Sequence, residues 1–182
     1  MGRTLLIDGD LRKPKLANVS NSQHPAGLAE LIIGTVAPEK CIVSDRYNKN
    51  LSLLTHGMIP PDPLELLNSV RFEKVLGELK KIYKHIVIDT SPVLPVSDPI
   101  VLAHRANGLL LVIEANKTTH WTARMAAKKL AKANVNVLGL VLSKMDSRRA
   151  YYYSNYRNYY ESYYSTDDPR SKKRRMPTTR TA

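Results

Sequence analysis

Two carboxylates flank one glycine at Asp8-Gly9-Asp10, and Arg12, Lys13 and Pro14 follow close behind. Carboxylate oxygens suit a hard divalent cation, and a guanidinium beside them pairs with phosphate oxygens. The spacing therefore offers one place for a metal ion and a phosphate together. A lone Asp at such a point commonly caps the turn that follows; a pair with a trailing Arg-Lys-Pro is a narrower pattern. A third carboxylate, Asp89, ends the run His85-Ile86-Val87-Ile88-Asp89, and Thr90, Ser91 and Pro92 come next.

Two strands must position these groups. Thr4-Leu5-Leu6-Ile7 and Ile86-Val87-Ile88 are continuous, largely apolar runs, which read as strands buried on both faces of a parallel sheet. Asp8 and Asp89 then fall at strand carboxyl ends, where open α/β sheets gather their ligands. Further strands are expected at 50–55, 108–114 and 136–143, and a short helix at 26–32. Residues 18–25 are polar and read as a loop. Asp62 is placed to cap a helix, with Pro63 at its first position and Glu65 at capping-box spacing. Ser69 is placed to cap another, in which Phe72, Val75, Leu76, Leu79, Ile82 and Tyr83 recur on one face. Thr118 and Thr119 read as caps before a basic amphipathic helix at 121–133 that covers the sheet. Helices alternating with strands predict an α/β fold, a doubly wound and mostly parallel sheet flanked by helices, over residues 1–146.

Together these stretches resemble the bacterial tyrosine kinases, a branch of the P-loop NTPases. Asp8, Asp10 and Arg12 match that family's Walker A′ motif, and Ile86 to Asp89 match its Walker B strand. Gly57-Met58-Ile59-Pro60-Pro61-Asp62-Pro63 is similar to its Pro-Pro-Asn-Pro segment. The resemblance covers residues 4–164. It implies Mg²⁺ and ATP as cofactors, with Asp10 and Asp89 as metal ligands. It also implies Asp8, Asp10 and Arg12 as catalytic residues: Asp8 takes the proton of the attacking hydroxyl, and Arg12 pairs with a phosphate oxygen. The phosphoacceptors would be Tyr151, Tyr152, Tyr153, Tyr156, Tyr159, Tyr160, Tyr163 and Tyr164. Two features depart from the pattern. No Gly-x-x-x-x-Gly-Lys-Ser/Thr occurs in the 182 residues, and Met1 stands three residues before the Walker A′ strand. The first strand–P-loop–helix unit is thus expected to be missing, and residues 1–182 alone to bind ATP–Mg²⁺ weakly or not at all. Ser143 stands where related NTPases carry an Asn that reads adenine.

The composition narrows the classes. A 43% hydrophobic fraction permits a core, and the single Cys41 excludes an internal disulfide and suits a reducing compartment. No apolar run approaches 18 residues, so no membrane span is expected. His24, His56, His85, His104 and His120 show no metal-ligand spacing. Residues 147–182 form a second region, a tyrosine-rich, basic tail expected to be disordered. It holds eight of the ten tyrosines, and its nine basic and three acidic residues give +6 of the chain's +12. The run Arg170-Ser171-Lys172-Lys173-Arg174-Arg175 is of the kind that meets anionic lipid.

The expected function is the catalytic domain of a tyrosine autokinase that phosphorylates its own tyrosine cluster and regulates exopolysaccharide synthesis or export. The alternatives are a non-catalytic phosphoacceptor that has lost ATP binding, and a partition-type P-loop ATPase. Expected partners are further copies of the chain and a transmembrane polysaccharide co-polymerase acting as activator. An anionic membrane surface is a third, and nucleic acid is disfavoured. The expected location is the cytoplasm, at the inner face of the cell membrane.

Overall fold

A computed structural model describes residues 2–20 and 26–145. In chain order the elements are β1 (Thr4–Asp8), α1 (Leu16–Ser20), α2 (Leu28–Ile33), α3 (Pro38–Cys41), β2 (Ile42–Ser44), β3 (Leu51–Leu54) and α4 (Pro63–Asn68). They continue with α5 (Val70–Ile82), β4 (His85–Asp89), α6 (Asp98–Arg105), β5 (Leu109–Glu114), α7 (His120–Lys132) and β6 (Val137–Ser143). One sheet runs β2-β3-β1-β4 and a second holds β5 and β6. Every pairing is parallel except β2 with β3. The expected α/β class with a mostly parallel sheet and flanking helices holds.

The helix starts follow their local signals. Asp62 accepts the Glu65 N–H at 3.0 Å, with Pro63 at the first helical position. Ser69 Oγ accepts the Phe72 N–H, and Thr119 Oγ1 accepts the Thr122 N–H. Thr118 is not a helix cap: its Oγ1 accepts the Glu114 N–H and closes the turn after β5. Residues 16–20, partly inside the expected loop, form α1, whose Leu16 N–H is taken by Asp8 Oδ2.

The core divides in two. Leu5, Ile7 and Leu54 of the four-stranded sheet are sealed against Leu28, Ile32, Phe72, Leu76 and Leu79 of α2 and α5. Leu111 of β5 packs with Ala126 and Leu130 of α7 in a smaller cluster. Helix α6 serves both, with Leu102 in the first cluster and Ile100 against the second. Burial on both sheet faces, expected for the apolar runs, holds for β1, which has no exposed residue, and fails for β4. His85, Val87 and Asp89 of β4 are exposed, Val87 by 53%, and Leu110 and Val112 of β5 are open on the face away from α7. Among the described residues β4 pairs only with β1, so its outer edge and one face lack the cover a central strand would have.

Candidate active site

The carboxylates meet where the strands end. β1 and β4 run in register from Thr4 against His85 to Asp8 against Asp89, so the two aspartates are direct neighbours. Gly9 follows Asp8, and its N–H donates to the Asp89 carbonyl at 2.8 Å. A Cβ there would press on that same carbonyl and on Ile88, so a side chain would push the turn off the β4 end.

Asp8 is fully buried. Its Oδ1 accepts the Asp10 N–H at 3.3 Å and its Oδ2 the Leu16 N–H at 3.0 Å. Asp10 is partly open, and its Oδ1 accepts the Arg12 and Lys13 N–H groups. Asp89 projects to the outside, yet its carboxyl is pushed above the usual range. Desolvation at the sheet end is the largest cause, followed by the charge of Asp8, with Asp10 adding to it. The Thr90 N–H and Lys15 oppose the rise.

Arg12 faces a partner the sequence did not reveal. Its Nε donates to Asp98 Oδ2 at 2.6 Å and its Nη2 to Asp98 Oδ1 at 3.1 Å. Asp98 is buried at the first position of α6, and this pair is the main reason the guanidinium pKa is raised. The fork expected to hold a phosphate oxygen is here spent on a carboxylate, and it ties the loop after β1 to the helix after the β4 loop. Lys129 of α7 grips that loop from the other side, donating to the carbonyls of Val93, Leu94 and Val96 at 2.7, 3.1 and 2.7 Å.

His56 also enters the site. Its Nδ1 lies 3.9 Å from Asp8 Oδ2. Sequence reasoning passed over it because it lacks metal-ligand spacing; its place just after β3, the neighbour of β1, was the available signal. Ser143 Oγ donates to the Ile113 carbonyl and so serves the β5–β6 pair. The eight tail tyrosines and the 146/147 boundary lie outside the described residues.

No group of three metal-binding side chains is assembled among the described residues. A cation that keeps several waters and takes only one or two carboxylates still fits, and that is the habit of Mg²⁺. After desolvation, the charges of Asp8 and Asp10 add to the rise at Asp89, and such an ion would offset them. Asp10 and Asp89 have oxygen atoms of the right kind for it, at the ends of adjoining segments.

No protein-family model matches the chain. It is 40% identical over 153 residues to CapB of Staphylococcus aureus, named as a tyrosine-protein kinase, covering 83% of this chain and 67% of CapB. The solved kinase domain of VpsO superposes with a TM-score of 0.75 at 39% identity, covering 80% of this chain and 72% of that one. A chain of the Aquifex aeolicus MinC:MinD cell division protein complex superposes with a TM-score of 0.65 at 17% identity, a likeness of fold alone. Some relatives are much longer: the chain spans 23% of the length of EpsB of Ralstonia solanacearum, also named as a tyrosine-protein kinase. The paired Asp8 and Asp89, the P-loop NTPase-like sheet and the identity across two thirds of CapB agree: the chain belongs to the bacterial tyrosine-protein kinases.

Proposed function

We propose that this chain carries the catalytic carboxylates of a tyrosine autokinase, acting on its own tyrosine cluster and through it on exopolysaccharide export. The row of carboxylates at the joined ends of β1 and β4 carries this reading. Phosphoryl transfer is mostly positioning and charge neutralisation, and carboxylates beside a Mg²⁺–phosphate complex supply both. In this reading Asp10 and Asp89 hold Mg²⁺, which neutralises phosphate charge when bound. Asp8 provides the negative charge that draws the proton from the attacking hydroxyl. Arg12 holds the Asp8–Asp10 loop on Asp98. The donors that cradle the β- and γ-phosphates of ATP are not supplied by residues 1–182, which lack the Gly-Lys-Ser/Thr motif.

The acceptors are Tyr151, Tyr152, Tyr153, Tyr156, Tyr159, Tyr160, Tyr163 and Tyr164. In this reading a second copy's site receives the tail. No helix among the described residues is long and apolar enough to cross a membrane. A transmembrane co-polymerase partner and the basic tail would bring the domain to the inner face of the membrane. The test is tyrosine phosphorylation by a P-loop-complete version of this chain with Mg²⁺–ATP, read by anti-phosphotyrosine blot. Asp10→Asn and Asp89→Asn should each abolish the signal while the circular dichroism spectrum stays unchanged. Phosphorylation at the unmutated level in either variant would remove that residue from the metal site.

A further inference from the structure

Asp8 cannot meet a substrate hydroxyl as it stands. It is fully buried, and each of its oxygens already accepts a backbone N–H. The side chain that connects it to the outside is His56. Its Nδ1 sits 3.9 Å from Asp8 Oδ2, is buried, and has no hydrogen-bond partner. The side chain as a whole remains 22% exposed. A buried polar nitrogen without a partner is costly and uncommon, so the ring's orientation needs a reason.

The backbone that carries His56 is pinned. The Thr55 carbonyl accepts the Leu28 N–H at 2.7 Å and the His56 carbonyl accepts the Ala29 N–H at 3.0 Å, both from the start of α2. Gly57 follows with φ of 75°, and the Met58 N–H donates to Glu30 Oε1 at 2.8 Å. The 3.9 Å separation exceeds a hydrogen bond and must shorten for Asp8 to accept from Nδ1. Separations of this size are common in catalytic pairs before substrate is bound.

We propose that His56 is a catalytic residue of the tyrosine phosphorylation, with Asp8 acting through it. This rests on the kinase reading above and adds the residue that moves the proton. Asp8, a carboxylate, accepts Nδ1–H and fixes the tautomer, which leaves the Nε2 lone pair for the acceptor. The tyrosine O–H bond breaks, its electron pair stays on oxygen, and the proton passes to Nε2. That oxygen bonds to the γ-phosphorus as the bond to the β,γ-bridging oxygen breaks and ADP leaves. The imidazolium, steadied by Asp8, returns its proton to solvent.

Two measurements decide it. Long-range ¹H–¹⁵N spectra of residues 1–182 should show neutral His56 as the Nδ1–H tautomer, a preference that Asp8→Asn reduces. The Nε2–H tautomer in the unmutated chain would overturn the proposal. In the P-loop-complete version, His56→Asn keeps a donor near the Nδ1 position but removes the base. Its kcat for tyrosine phosphorylation should fall about 10²- to 10⁴-fold, with nucleotide affinity within twofold. An unchanged kcat in an active enzyme would overturn the role of His56 and leave the kinase reading standing. An unmutated P-loop-complete version that transfers no phosphate to tyrosine would overturn both.

Discussion

Arg12 and Asp98 form a two-pronged ion pair between the loop after β1 and the first turn of α6, at 2.6 and 3.1 Å. Asp98 is almost fully buried while the Arg12 side chain is 39% exposed, so the pair is unequal. Removing the arginine strands a buried carboxylate. Arg12→Met should cost about 1–3 kcal/mol in urea unfolding, and Asp98→Asn less, because Asn keeps an acceptor. A double-mutant cycle with Arg12→Met and Asp98→Leu should give a coupling of about 0.5–3 kcal/mol; zero coupling would mean that the two prongs contribute nothing.

Asp89 gives a pH signature. Its folded-state carboxyl lies above its ordinary value of 3.8, chiefly through desolvation and then the charge of Asp8. The folded chain therefore holds the proton more tightly than the unfolded chain does, and stability falls as pH rises from 3.8 through the raised value. Asp89→Asn should raise the unfolding midpoint at neutral pH, and the gain should vanish below the ordinary value. An equal gain at both ends of that window would show that charge is not the cause.

Gly57 sits at φ 75°, and a Cβ there would collide with the Glu30 carboxylate and the Gly27 N–H. Gly57→Ala should destabilise by about 1–3 kcal/mol. It should also release Glu30 from the N–H groups of Gly27 and Met58, which it now holds at 2.8 Å each. Amide exchange of Gly27 and Met58 reports the release; unchanged protection would count against it.

Lys129→Met should loosen the segment between Asp89 and α6. The three carbonyls of Val93, Leu94 and Val96 lose their shared donor, while the strand ladder of β1 is untouched. Hydrogen exchange should quicken over residues 91–100 and stay constant in Leu5–Ile7. Uniform quickening would indicate global destabilisation in place of a local one.

Phosphorylation should reverse the tail's charge. Residues 147–182 carry +6, and four phosphotyrosines would add about −6 to −8. A peptide of residues 148–182 should sediment with anionic vesicles at physiological salt when unmodified and lose that binding when phosphorylated. Equal binding by the two forms would exclude an electrostatic switch.

What the sequence made legible was local. Asp62, Ser69 and Thr119 announced their helices because a cap and its N–H lie three residues apart. The strands β1 and β4 were evident as apolar runs ending in Asp. Helix α6 was missed because it is eight residues long and begins Asp98-Pro99, a start that also reads as a turn. The Arg12–Asp98 pair spans 86 positions and leaves no local trace. His56 escaped because it lacks metal-ligand spacing, and its place after β3 points to Asp8 only once β3 is known to pair with β1. Burial of β4 on both faces failed because an apolar run records what a strand can tolerate, while cover depends on neighbours supplied by the tertiary fold.

The division of the sheet has a mechanical consequence. β5 and β6 with α7 form a leaf joined to the four-stranded plate through α6, Lys129 and the loop it grips. Among the described residues no strand ladder crosses that joint, so the leaf and the plate that carries Asp8, Asp89 and His56 are free to open as separate units.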